Sequence, residues 1–145
     1  MTFDDRRNPL HATDATQGPH TTFQPTAMVG RAAMEAVAPG IPERLEEQMI
    51  PIAPNTVRRI YEHIWGDVHQ DATLGLRDRT MSAIAALTAL GSVDSNLQLQ
   101  ISIGLNVGMS PKEIVAVIEQ TAVIAGFPRA ENALQVAKRV FTTTT

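Results

Sequence analysis

An all-α fold, a compact helical bundle, is predicted by three observations. The one alternating run, DSNLQLQISIGLNVG from Asp94 to Gly108, has apolar residues at Leu97, Leu99, Ile101, Ile103, Leu105 and Val107, the period-two pattern of a strand. No second strand-like run exists to pair with it, and a lone strand would leave its backbone groups without partners. Directly after it, Ser110-Pro111-Lys112-Glu113 forms a capping box with proline at the first helical position, which announces a helix.

The 145 residues suffice for one domain with one core. Apolar content is 43%, but aromatics are only 4%, so aliphatic side chains and alanine must fill that core. A net charge of −3 with no basic run argues against a nucleic-acid surface. No apolar stretch approaches a membrane span and no signal-peptide pattern opens the chain, so the expectation is a cytoplasmic protein without membrane contact. The absence of cysteine excludes disulfides, a thiolate nucleophile, a CxxC redox pair and thiolate metal sites.

In chain order, residues 1–25 are polar, rich in Thr and Pro and aperiodic, and read as a flexible arm. The arm carries His11 and His20, with Phe3, Leu10 and Phe23 as possible anchors on a neighbouring subunit. The folded domain is expected over 26–141. Thr26 is placed as N-cap of a first helix, AMVGRAAMEAV, stopped by Pro39-Gly40. A short segment, IPERLEEQMI, follows; Pro51 and Pro54 bracket a loop, and Asn55 is placed as the next cap. One helix is then expected from Thr56 to Val68, with His63 within it and His69 just after. Six residues apart, the two do not share a helical face, which disfavours a two-histidine metal clamp; no metal site is expected. His63 can pair with Asp67 at i,i+4, and His69 is freer to face a pocket. Gly75–Asp78 opens RTMSAIAALTAL, apolar nearly all round and so expected to be buried on all sides with help from another subunit. Helices over 94–108, 111–125 and 129–141 follow, and the TTTT ending, 142–145, is expected to fray.

Wound at about 100° per residue, the 94–108 stretch puts Gln98, Ser102 and Asn106 on a polar arc. On the wide apolar face lie Asn96, Gln100 and Gly104, each one turn from the next. A buried carboxamide needs partners or costs about 1–3 kcal/mol. Two of them beside a glycine suggest either a small polar site in an apolar pocket or a helix–helix hydrogen bond with close packing.

Three stretches, Trp65-Gly66-Asp67 followed by GLRDRTMS, the NVGMSPKEI joint, and QTAVIAGFPRAENA, occur in an order and spacing that resembles the carboxymuconolactone decarboxylase family, on its decarboxylase rather than its hydroperoxidase side. The resemblance covers about residues 27–141. It implies a helical fold of the type shared with the hydroperoxidase branch, an obligate homo-oligomer (trimer or hexamer), pockets near subunit contacts, and chemistry without a cofactor. Without cysteine, the peroxide-reducing branch's chemistry is excluded. In the decarboxylase branch this helix resembles EExxLHxxAAxxNG; aligned on Asn106 and Gly108, the histidine falls on Gln100 and an acidic position on Asn96. The second arginine after the GL turn is Met81, while Arg79 is kept; a tyrosine is replaced by Ile124; and aromatic positions around Trp65 are His63 and His69.

The resemblance implies binding of a carboxylate, stabilisation of an enolate and delivery of a proton to carbon. Arg79 is the candidate for the carboxylate, or else an intersubunit ion pair. Asn96 and Gln100 can donate to an enolate oxygen, and His69 or His63 can move the proton. Trp65, Gly104, Met81 and Ile124 complete the expected pocket wall. The expectation is a cofactor-independent lyase or isomerase acting on a small cyclic carbonyl or lactone-type substrate. Two others stand beside it: a catalytically degenerate member that binds a ligand or stabilises a partner, and an authentic carboxymuconolactone decarboxylase with relocated histidines.

Overall fold

The computed structural model describes residues 24–143, and every regular element among them is helical. The anchors Phe3, Leu10 and Phe23, with His11 and His20, lie outside the described residues. Seven α-helices follow in order: α1 (Pro25–Val37), α2 (Ile41–Met49), α3 (Pro54–Arg59), α4 (Leu76–Leu90), α5 (Asp94–Asn106), α6 (Pro111–Ala125) and α7 (Phe127–Thr143). Between α3 and α4 lie a π-helical segment, Ile60–Trp65, and a single 3₁₀ turn, Val68–Gln70.

Two hydrophobic clusters hold these elements together. The first joins α4 to α7 through Ile84, Ile101, Ile114, Ile118, Val136 and Val140. Ala130, Ala133 and Ala137 line one stripe of α7, where short side chains let its neighbours approach. The second joins α1 to the π-helical segment through Ala27, Met34, Val57, Tyr61 and Trp65, with Ile103 reaching in from α5. The alternation along α5 thereby has a helical explanation. Residues i and i+2 lie about 200° apart on a helix. Leu97 and Ile101 enter the first cluster, while Leu99, Ile103 and Val107 enter the second. A helix inserted between two cores mimics the period of a strand.

The capping box before α6 forms as the sequence predicts. The Glu113 amide donates to Ser110 Oγ at 3.2 Å and the Ser110 amide donates to the Glu113 carboxylate at 2.8 Å. Other ends differ. Gln24, not Thr26, precedes α1, because Pro25 takes the first helical turn, where its missing N–H is no loss. Pro54 does the same for α3, so Ala53 rather than Asn55 occupies the cap.

The expected helix over 56–68 is interrupted. The Gly66 amide donates to the Tyr61 carbonyl at 2.7 Å, five residues back, which widens the turn. At this bulge α1 comes into backbone contact. A Cβ on Gly30 would sit 2.7 Å from the Tyr61 carbonyl carbon and 2.8 Å from Gly66 N, and one on Gly66 would sit 2.6 Å from the Thr26 carbonyl oxygen. Only glycine fits either position.

Nor is α4 buried on all sides within one chain. Thr80, Ile84 and Thr88 are its buried residues, and Leu90 is 65% exposed. The threonines are buried at no polar cost, because each hydroxyl donates to the carbonyl four residues back.

Candidate active site around His69

The site begins with carbonyls that the wide turn leaves without helical partners. A regular helix would satisfy Ile64 and Trp65 from the next turn, but the backbone leaves the helix at Gly66. Two side chains from the following 3₁₀ turn take over. His69 Nδ1 lies 2.8 Å from the Ile64 carbonyl, and Gln70 Nε2 donates to the Trp65 carbonyl at 2.8 Å. A carbonyl oxygen only accepts, so Nδ1 carries the hydrogen and the neutral ring presents its lone pair at Nε2. The imidazole is stacked on Trp65, ring centroids 4.4 Å apart and planes inclined by 25°. Trp65 itself is buried, so the stack rests on the second core.

The loop after His69 is held from α4. Arg79 Nη2 donates to the Asp71 carbonyl at 2.6 Å and Nε to the Leu74 carbonyl at 2.8 Å. Within the loop, the Thr73 amide donates to Asp71 Oδ1 at 2.8 Å, and the Thr73 hydroxyl, followed by this amide, holds the Asp71 carboxyl below the usual carboxylate range.

Beneath the site, Tyr61 is fully buried and donates to Glu46 Oε1 at 2.9 Å. Arg31 Nε donates to the same oxygen at 2.7 Å, and its Nη2 to Glu43 at 2.8 Å. Burial, reinforced by Glu46, pushes the Tyr61 phenol well above its ordinary value. The hydrogen bond from Arg31 holds Glu43 below the carboxylate range. The network ties α1 and α2 to the π-helical segment, so the bulge that sets up His69 is braced from behind.

The remaining sequence-predicted residues do not converge on His69 within one chain. His63 is exposed, 3.7 Å from the equally exposed Asp67, an i,i+4 surface pair of little energetic consequence. Asn96, expected on the buried face, is exposed at the first turn of α5, where the helix end overhangs a depression shared with Asn132, Gln135 and Arg139 of α7. Gln100 is half-buried, and among the described residues no side-chain nitrogen or oxygen is both buried and without a partner. The buried carboxamide pair is therefore not formed. Gly104 belongs to the first core, its missing side chain replaced by Met109, Ile114 and Ile84. Met81 and Ile124 do come together. They line an open, mostly apolar groove of about 690 Å³ between α4 and α6, with Ala85, Ala89 and Val117 between them.

Gln70 and the Ile64 carbonyl were not legible as parts of a site, since nothing in the sequence marks a π turn. The Asp71-x-Thr73 pattern is a readable turn signal.

The carboxymuconolactone decarboxylase family model matches residues 54–139, more than half of the chain. The chain belongs to this family. The matched span runs from the start of α3 into α7 and contains His69, Trp65, Arg79 and Gln100. Helices α1 and α2, which carry Arg31, Glu43 and Glu46, lie before it. No curated protein matches the chain. Among the described residues there is no cluster of histidine and carboxylates that could hold a metal ion, and no helix long and apolar enough to cross a membrane.

Proposed function

We propose that this member of the carboxymuconolactone decarboxylase family is a cofactor-independent lyase or isomerase that acts on a small cyclic carbonyl or lactone-type compound, with His69 as the proton-transfer group. The observation that carries the reading is the bond from His69 Nδ1 to the Ile64 carbonyl, with the ring stacked on Trp65. It fixes one tautomer and one ring orientation before substrate arrives, as a general base requires. Nε2 takes a proton from carbon, or delivers one to it, while Nδ1–H stays on the carbonyl. Electrons displaced from the broken C–H or C–C bond collect on the substrate's carbonyl oxygen as an enolate. Gln100 and Asn96, which do not meet His69 within one chain, are the proposed amide donors to that oxygen from a second copy. His63, solvent-exposed beside Asp67, is the weaker candidate for proton transfer.

The reading includes a homo-oligomer, a trimer or hexamer. Its support is the apolar groove between α4 and α6, together with the exposure of Ile124 (86%), Val123 (74%) and Phe127 (81%) next to it. Such a concentration of large apolar side chains on one face marks an interaction surface. A second copy there would cover what one chain leaves open. The dispersal of Asn96 and of the Met81–Ile124 groove away from His69 favours one second reading, a non-catalytic ligand-binding member.

Two assays separate these. If the enzyme reading holds, His69→Gln lowers turnover of a responsive lactone by about 100-fold; a ligand-binding member shows no turnover to lose. Light scattering on the wild type should give a trimer or hexamer that Ile124→Glu dissociates, and a monomeric wild type would refute the assembly.

A further inference from the structure

We infer that the substrate at His69 is an uncharged carbonyl compound and that the reaction is a proton shift along it, with Arg79 as a positioning residue rather than a carboxylate ligand. This rests on the proposed role of His69.

The argument starts from Arg79. An arginine grips a carboxylate through two parallel N–H bonds along one edge of its guanidinium. The Nε–Nη2 edge of Arg79 is occupied by the Leu74 and Asp71 carbonyls at 2.8 and 2.6 Å. Asp71 stands two residues after His69, so this clamp fixes the chain that carries the imidazole. Two cations nearby in the chain are engaged as well. Arg77 is paired with Glu113 and Arg58 with Glu62. Arg59 leaves α3 more than a turn before Trp65. The carboxylates flanking His69 in the chain, Asp67 and Asp71, are both exposed. Asp71 is moreover held ionised by the Thr73 bonds. A second anion brought to Nε2 would meet like charge, while the Nε–Nη2 edge of Arg79 is already taken by the loop carbonyls.

Decarboxylation needs a substrate carboxylate, and this arrangement disfavours one. A neutral β,γ-unsaturated lactone fits it. His69 Nε2 removes the proton α to the carbonyl, the C–H electrons move onto the carbonyl oxygen as a dienolate, and the imidazolium, whose Nε2 proton exchanges with solvent, returns a proton at the γ carbon. Atoms and charge balance without a co-reactant. The Trp65 indole beneath the ring supplies an apolar wall that suits a flat neutral molecule.

The test uses the full chain and two probes, α-angelica lactone, a neutral β,γ-unsaturated lactone, and 4-carboxymuconolactone, its anionic counterpart in chemistry. Proton NMR in heavy water follows deuterium entry into the first, and carbon dioxide release follows the second. The expected result is exchange into the neutral lactone well above the buffer rate and no carbon dioxide from the acid. Arg79→Lys should lower kcat by about tenfold with KM nearly unchanged. It should also weaken the quenching of Trp65 emission when His69 is protonated, a readout that a carboxylate ligand would not move. Exchange at the buffer rate overturns the inference. So does carbon dioxide release with a KM raised about tenfold in Arg79→Lys, and that result leaves His69 as the proton-transfer group. Exchange that persists in His69→Gln instead removes His69 from the chemistry, and the reading beneath the inference fails with it.

Discussion

The two cores of this molecule are built differently. The α4–α7 core is aliphatic and alanine-rich, made of regular helices, and it holds no ion pair or aromatic side chain among its fully buried members. The core beneath α1 contains the chain's only tryptophan and only tyrosine, the π-helical turn, the Arg31–Glu43–Glu46–Tyr61 network and the backbone contact at Gly30. One region is regular and inert; the other is irregular, polar at its edge and carries His69. Irregular backbone leaves carbonyls unpaired, and here those carbonyls orient a side chain with acid–base chemistry.

The comparison can be broken by substitutions, the largest first. Ile118→Ala should destabilise the fold by about 4 kcal/mol in urea unfolding, yet leave Trp65 emission in the folded state unchanged. Gly30→Ala should cost about 3 kcal/mol and alter that emission, because its Cβ meets the backbone of the bulge. Gly104→Ala, whose Cβ would meet only side-chain ends at 3.3–3.5 Å, should stay within about 1 kcal/mol. If Gly30→Ala were as mild as Gly104→Ala, the backbone contact would not be what braces the bulge.

Tyr61→Phe should cost about 1.5 kcal/mol, since Glu46 keeps Arg31. It also tests a pH dependence. The folded phenol keeps its proton to higher pH than the unfolded one, so above about pH 10 the folded state binds more protons and stability falls as pH rises. That alkaline decline should flatten in Tyr61→Phe; an unchanged slope would assign it elsewhere. Ser110→Ala should cost about 1 kcal/mol through loss of the capping box, with no effect at His69.

Most of the regular core was legible in the sequence. The capping box at Ser110, the stop at Pro39-Gly40 and the helical winding of 94–108 rest on local rules, and local rules sufficed. The burial of Asn96 was misjudged because a helical wheel treats all turns alike, whereas the first turn of α5 overhangs its neighbours. The candidate site was half legible. His69 and Trp65 stood out as residue types, but the π turn depends on how α1 packs against 60–66, a contact across about thirty residues that no local pattern encodes. Arg79 was legible as a cation, while its partners are loop carbonyls, which every residue has and no sequence displays.

The most direct measurement is the long-range proton–nitrogen NMR spectrum of the histidine rings at about pH 9, with His69→Gln to assign the signal. A proton on Nδ1 and a bare Nε2 at His69 is the result predicted. A His69 ring protonated at Nε2 would contradict the bond to the Ile64 carbonyl and remove the base on which the proposed chemistry depends.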